Sequence, residues 1–130
     1  MTPKALRAPD YLDHILQAIE RIQRYTRETT EDAFLANEQQ QDAVIRNIEI
    51  IGEAARNLQR QAPDLVAQHA DIPWAALYAM RNRVTHGYWA VDVEIVWNVI
   101  QDELPILKTQ IQALLRISYS KVLIRSFALR

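Results

Sequence analysis

Apolar residues recur along most of this chain at three- and four-residue steps, the spacing that gathers them on one side of an α-helix. Leu12, Ile15, Leu16, Ile19 and Ile22 keep this rhythm, and Pro9 just before Asp10 marks a start, so a first helix is predicted from about Asp10 with that face inward. "TTEDAFLAN" at 29–37 predicts one short turn of helix, capped by Thr29 or Thr30, and Asn37 is placed to cap the helix that follows. Across 38–61, Val44, Ile48, Ile51, Ala55 and Leu58 form an apolar stripe, while Arg46, Glu49, Glu53, Arg56 and Arg60 lie mostly elsewhere, which predicts a long amphipathic helix. Gly52 inside it costs about 1 kcal/mol relative to Ala. With Ala54 and Ala55 beside it, Gly52 predicts a place where another helix backbone comes close.

Pro63 opens the short segment "PDLVAQHADI", and Pro73 reads as a first-turn residue of a helix over about 73–86. Asp92 is placed to cap a last long helix in which Val93, Val96, Trp97, Ile100, Leu104, Leu107, Ile111 and Leu114 share one side. Pro105 lies inside that helix and is expected to bend it. Four substantial helices with short connections predict an all-α fold, an antiparallel bundle supplemented by short helices.

Composition agrees with this pattern, since the chain of 130 residues has only two glycines, Gly52 and Gly87. It has no cysteine, so disulfides, thiolate metal sites and a cysteine nucleophile are excluded, and a reducing, cytoplasmic setting is the expectation. The opening "MTPKALRAPDYLDHIL" lacks the pattern of a secretory signal, and no stretch approaches the ~20 apolar residues of a membrane span, so a soluble protein with no membrane role is expected. The net charge is −1, but its distribution is uneven. Residues 116–130 carry four of the 15 basic residues and none of the 16 acidic ones, which leaves the rest of the chain acidic. The expected organisation is therefore a helical bundle over 1–115 followed by a basic tail, or helix extension, over 116–130.

Much chemistry is missing. Two isolated glycines make neither a P-loop nor a dinucleotide fingerprint. His14, His69 and His86 are far apart and fit no helical metal-ligand spacing, so no metal and no cofactor are expected. Ser118, Ser120 and Ser126 sit in the tail without a nucleophile-elbow motif. What remains is "AMRNRVTHGYWAVD" at 79–92, where Arg81, Asn82, Arg83, His86 and Tyr88 crowd together with no acid before Asp92.

In an ideal helix Asn82 and His86 share a face, whereas Arg81 and His86, five apart, are separated by about 140°. Gly87 can end the helix and let its last turn distort, which would swing His86 toward Arg81. The result would be an anion site with no carboxylate to neutralise it. Its imidazole could take the proton of a ribose 2′-hydroxyl, and its guanidinium could hold the phosphate that the 2′-oxygen attacks. An Arg and a His at this spacing also occur by chance, and these residues alone leave a plain solvated helix end open.

Longer strings narrow the choice. "IRNIEIIGEAARNL" at 45–58, "IPWAALYAMRNRVTHGYWAVDVEIVWNVI" at 72–100 and "DELPILKTQIQALL" at 102–115 together resemble the HepT family of the HEPN superfamily, and the resemblance spans nearly everything from Asp10 to Leu115. The family's signature of Arg, a polar residue, three further positions, His, a spacer and Tyr is matched by Arg81, Asn82, His86 and Tyr88. The resemblance implies a HEPN-like bundle that forms a homodimer, and the toxin of a type VII-like toxin–antitoxin module. The toxin would be a metal-independent endoribonuclease, with tRNA and mRNA as candidate substrates. Arg81 and His86 would be catalytic, with Asn82 and Arg83 in support. It also implies a minimal nucleotidyltransferase (MNT) antitoxin that silences the toxin by AMPylation of Tyr88. Trp74, Tyr78 and Trp89 are candidate apolar contacts between protomers, or else core aromatics. The alternatives are a noncatalytic helical adaptor that binds the nucleotidyltransferase, and a structural subunit whose basic tail is its working part.

Overall fold

The computed structural model describes residues 7–86 and 92–128, with the side chains of residues 7–84 and 92–118. Among these residues every regular element is helical. Each predicted cap does its job. The backbone N–H of Arg7 donates to Asp10 Oδ2 at 2.8 Å, and α1 begins at Ala8, two residues before the expected start, with Pro9 tolerated in the first turn (Ala8–Thr26). Thr30 accepts from Ala33 N at 3.2 Å to start α2 (Glu31–Leu35), and Asn37 accepts from Gln40 N at 3.0 Å to start α3 (Glu38–Gln61). Pro63 opens α4 (Pro63–Gln68), and α5 follows over Trp74–His86.

Asp92 caps α6 (Val93–Asn98) by accepting from Glu94 N at 2.9 Å. The chain then passes through a π-helical turn, Val99–Glu103, into α7 (Leu104–Ala128), so residues 116–128 continue that helix. The π-helical turn lies where Pro105 was expected to bend the helix. Proline has no N–H to give the carbonyl four residues back, and its ring crowds that carbonyl. Here the Leu104 N–H reaches back five residues, to Val99 O, which widens the turn ahead of the proline.

α1 and α3 run antiparallel, because their cross-links pair early with late positions. Gln61 Nε2 donates to Tyr11 Oη at 3.0 Å, Arg21 Nε to Asn47 Oδ1 at 2.7 Å, and Gln40 Nε2 to the Tyr25 carbonyl at 2.8 Å. Between them lie the predicted stripes: Leu12, Ile15, Ile19 and Ile22 from α1 and Val44, Ile48, Ile51, Ala55 and Leu58 from α3 are all buried. α5 packs on another face of α3, and α7 packs on α1. Val96, Ile100, Leu104, Leu107, Ile111 and Leu114 bury the predicted side of the last helical stretch. Phe34 of α2 closes the core against Trp97, with ring centroids 5.3 Å apart. No helix among the described residues is long and apolar enough to cross a membrane.

Candidate functional site

The α3–α5 contact is made at Gly52. A Cβ placed there would fall on the Arg81 Cβ and lie 2.8 Å from the Leu77 carbonyl oxygen. This is the close backbone approach that the small residues of α3 predicted. It has a chemical consequence, because the stem of Arg81 lies flat on the α3 backbone and its guanidinium emerges beside the next residue of α3, Glu53.

Arg81 Nη2 lies 2.6 Å from Glu53 Oε1, and its Nη1 donates to Asn82 Oδ1 at 3.1 Å. Its Nε is buried without a hydrogen-bond partner. The guanidinium is therefore gripped from two sides, and its unused Nη hydrogens are left for a third acceptor. A planar fork with two free N–H groups suits the two oxygens of a phosphate. The expected anion site without a carboxylate is corrected here, since Glu53 neutralises Arg81. Stretch 79–92 holds no acid before Asp92, but the fold delivers one from 28 residues away.

Asn82 is half-buried, and Arg83 is exposed on the outer side of α5. α5 is helical through His86, and whether it stops at Gly87, as the spacing of Arg81 and His86 requires, falls outside the described residues. The His86 side chain, Tyr88 and Trp89 lie outside the described residues. The other two expected interface aromatics part ways. Trp74 is a core residue, 4% exposed, and its indole N–H donates to the His69 carbonyl at 3.0 Å, so it is not free to contact a second protomer. Tyr78 is half-buried beneath a guanidinium, with Arg56 Cζ 5.2 Å from its ring centroid.

Glu53 and Arg56 were not among the predicted site residues. The signal for both was present in Gly52: whatever helix touches that glycine also meets the side chains one and four positions further along α3. The other two histidines are remote in role. His14 is exposed with its ring edge-on to Tyr11, and the His69 backbone carbonyl anchors Trp74. Among the described residues no group of three His, Cys, Asp or Glu side chains is disposed to hold a metal ion.

On the other side of α5 an open cavity of about 1140 Å³ separates that helix from the α6–α7 path. Leu77, Met80 and Val84 line it from α5, with Arg83 at its edge and Ile95 and Ile106 opposite. Ile95 and Ile106 are 45% and 62% exposed, so this face is apolar and open.

A family model described as "Ribonuclease HepT-like" matches residues 15–114. Over 105 residues the chain is 40% identical to "Probable ribonuclease HepT" of Thermococcus cleftensis, covering 81% of this chain and 93% of that one. It is 33% identical over 105 residues to "Putative RNase MJ0127" of Methanocaldococcus jannaschii, covering 81% of this chain and 83% of that one. A longer protein of the same organism, "Gamma-glutamylcyclotransferase and putative RNase MJ0434", is 43% identical over 101 residues, which are 44% of its length. No solved structure matches.

Proposed function

The chain belongs to the HepT-like ribonuclease family of the HEPN superfamily, and from that premise we propose that it is a metal-independent endoribonuclease working through Arg81 and His86. The observation that carries the reading is the grip on Arg81, whose guanidinium is held by Glu53 and Asn82 on the same helix that carries His86.

The chemistry follows from those groups. The His86 imidazole takes the proton of the ribose 2′-hydroxyl, the 2′-oxygen attacks the adjacent phosphorus, and Arg81 holds the phosphate as its charge grows. The bond from phosphorus to the 5′-oxygen breaks, and an imidazolium returns a proton to that oxygen. The products are a 2′,3′-cyclic phosphate and a free 5′-hydroxyl. DNA, without the 2′-hydroxyl, survives. Asn82 positions Arg81, and Arg83, exposed at the edge of the cavity on the other side of α5, adds positive charge to the face proposed to pair.

A homodimer completes the site, because two copies supply both a base and an acid and double the number of guanidinium groups. With Trp74 buried, the face that fits this pairing is the apolar one around Met80, Ile95 and Ile106. The protein is the toxin of a HEPN/MNT pair in this reading, and its nucleotidyltransferase antitoxin attaches AMP to Tyr88. Phosphates added two residues from His86 would occupy the anion site and repel RNA.

The neutralisation of Arg81 by Glu53 favours one alternative, a noncatalytic adaptor that binds the nucleotidyltransferase. One assay separates the two. Unmodified protein is incubated with RNA in EDTA beside His86→Ala and Arg81→Ala. Cleavage by the wild type alone, with cyclic phosphate ends, is expected. No cleavage, or equal cleavage by all three, leaves the adaptor.

A further inference from the structure

The α3–α5 seam holds a second guanidinium that the proposed chemistry does not use. Glu53, Arg56 and Arg60 stand at i, i+3 and i+7 on α3 and so share one stripe of that helix. Tyr78 and Asn82 stand four apart on one face of α5. Glu53 pairs with Arg81 and the later Arg56 with the earlier Tyr78, so α3 and α5 run antiparallel and these stripes meet rung by rung. Glu53 contacts Arg81, and Arg56 lies over the Tyr78 ring at 5.2 Å. The two rungs are about one helical turn apart, roughly 4.5 Å along the axis for three residues.

The rungs differ in charge. Arg81 is paired with Glu53, whereas among the described residues no carboxylate pairs with Arg56 or Arg60. Arg56 Nε is buried without a hydrogen-bond partner, which leaves the outer edge of its guanidinium, the two Nη groups, as the part offered to an acceptor. The aromatic face under it fixes the plane of the fork while leaving that edge unspent, since a cation–π contact uses the flat of the guanidinium. A fixed, uncompensated guanidinium one turn from a phosphate clamp is a strand-tracking element.

We propose that Arg56 is a phosphate-binding residue for single-stranded RNA, holding the phosphate next to the one that Arg81 clamps, with Tyr78 as its positioning residue. This inference rests on reading the Arg81 site as one that receives RNA. It gives the strand a direction, from Arg81 toward the C-terminal end of α3, where Arg60 extends the stripe.

The test is a binding titration with a single-stranded oligouridylate methylated at every 2′-oxygen, which binds without being cut, read across a range of salt concentrations. Arg56→Gln removes the charge while keeping an unbranched polar side chain that suits a helix. It is expected to weaken binding about tenfold and to reduce the salt slope by about 0.7, the loss of one single-strand phosphate contact. Tyr78→Phe is expected to bind as the wild type does, and Tyr78→Leu more weakly with its slope retained. Arg56→Ala serves as a second variant, with thermal unfolding to confirm that each protein is folded. An unchanged slope in folded Arg56→Gln overturns the proposal, as does a wild type that does not bind the probe. A wild type that binds with the expected slope loss in Arg56→Gln, yet cleaves no RNA, keeps the phosphate contact and removes the nuclease reading instead.

Discussion

Glu53 Oε1 and Arg81 Nη2 lie 2.6 Å apart across the α3–α5 seam, so the guanidinium proposed to clamp a phosphate already holds a carboxylate. The Glu53 side chain is 52% exposed, which limits the pair to less than about 1 kcal/mol of stability. Its value lies in orientation. With Nη2 tied to Glu53 and Nη1 to Asn82, the fork has one aim. Glu53→Ala is therefore expected to lower kcat roughly 10- to 100-fold with KM within about twofold, the cost of a loosened catalytic group. Glu53→Gln, which can still accept from Nη2, is expected to recover most of the rate. Arg81→Lys is expected to be inactive while folded, since one ammonium cannot replace three directed contacts. Steady-state kinetics on the three variants checks this. Faster turnover or tighter RNA binding by Glu53→Ala would instead make Glu53 a lock that competes with the phosphate.

Gly52 gives a structural counterpart to that prediction. Substituting Ala gains about 1 kcal/mol of helix propensity, but its Cβ has no room beside the Arg81 Cβ and the Leu77 carbonyl. The obstructing atoms are the stem of Arg81 and backbone, which move only if α5 moves. Overpacking of this kind costs about 1–3 kcal/mol, so Gly52→Ala is expected to be net destabilising by up to about 2 kcal/mol in urea unfolding. Because α5 also carries Arg81, RNA cleavage is expected to fall more than stability does. Gly52→Ala as stable as the wild type would show that the seam has slack.

The helices were legible because their signals are local. Thr30, Asn37 and Asp92 each cap within three residues of themselves, and the apolar stripes of α1 and α3 need only the helical period to be read. Gly52 even announced that a helix would touch there. What a period cannot give is the partner. Glu53 and Arg81 are 28 residues apart, and nothing in either segment names the other. The same limit left Trp74 open between a protomer contact and a core aromatic, since its burial is set by the His69 carbonyl and the core around it rather than by its own helix. Pro105 signalled a disturbed helix, but whether the disturbance becomes a bend or a widened turn depends on which register keeps Leu104, Leu107 and Ile111 buried.

Phe34 offers a test of how a helix of only five residues is held. α2 is too short to be stable alone, and its buried side chain is Phe34, fully enclosed and packed on Trp97. Phe34→Ala is expected to cost about 3–5 kcal/mol, the range for emptying a core aromatic site. Phe34→Leu, which fills most of the volume, is expected to cost less than half of that. Amide hydrogen exchange then separates local from global loss. Exchange that accelerates in α2 and α6 before α1 and α3 is expected, since α2 bridges α3 to α6.

Tyr88 carries the regulatory prediction, and its logic is electrostatic. A phosphate carries negative charge at neutral pH, and one attached two residues beyond His86 would compete for the guanidinium groups that an RNA phosphate needs. Arg81 is already half-satisfied by Glu53, so a tethered anion has little to displace before it fills the remaining N–H groups. Co-expression with the proposed nucleotidyltransferase antitoxin is expected to raise the intact mass by one or more AMP units and to abolish cleavage. Tyr88→Phe is expected to keep its unmodified mass and to remain unsilenced by the same partner. Added mass on Tyr88→Phe would move the modification to another residue, and modified protein that still cuts RNA would separate the modification from inhibition.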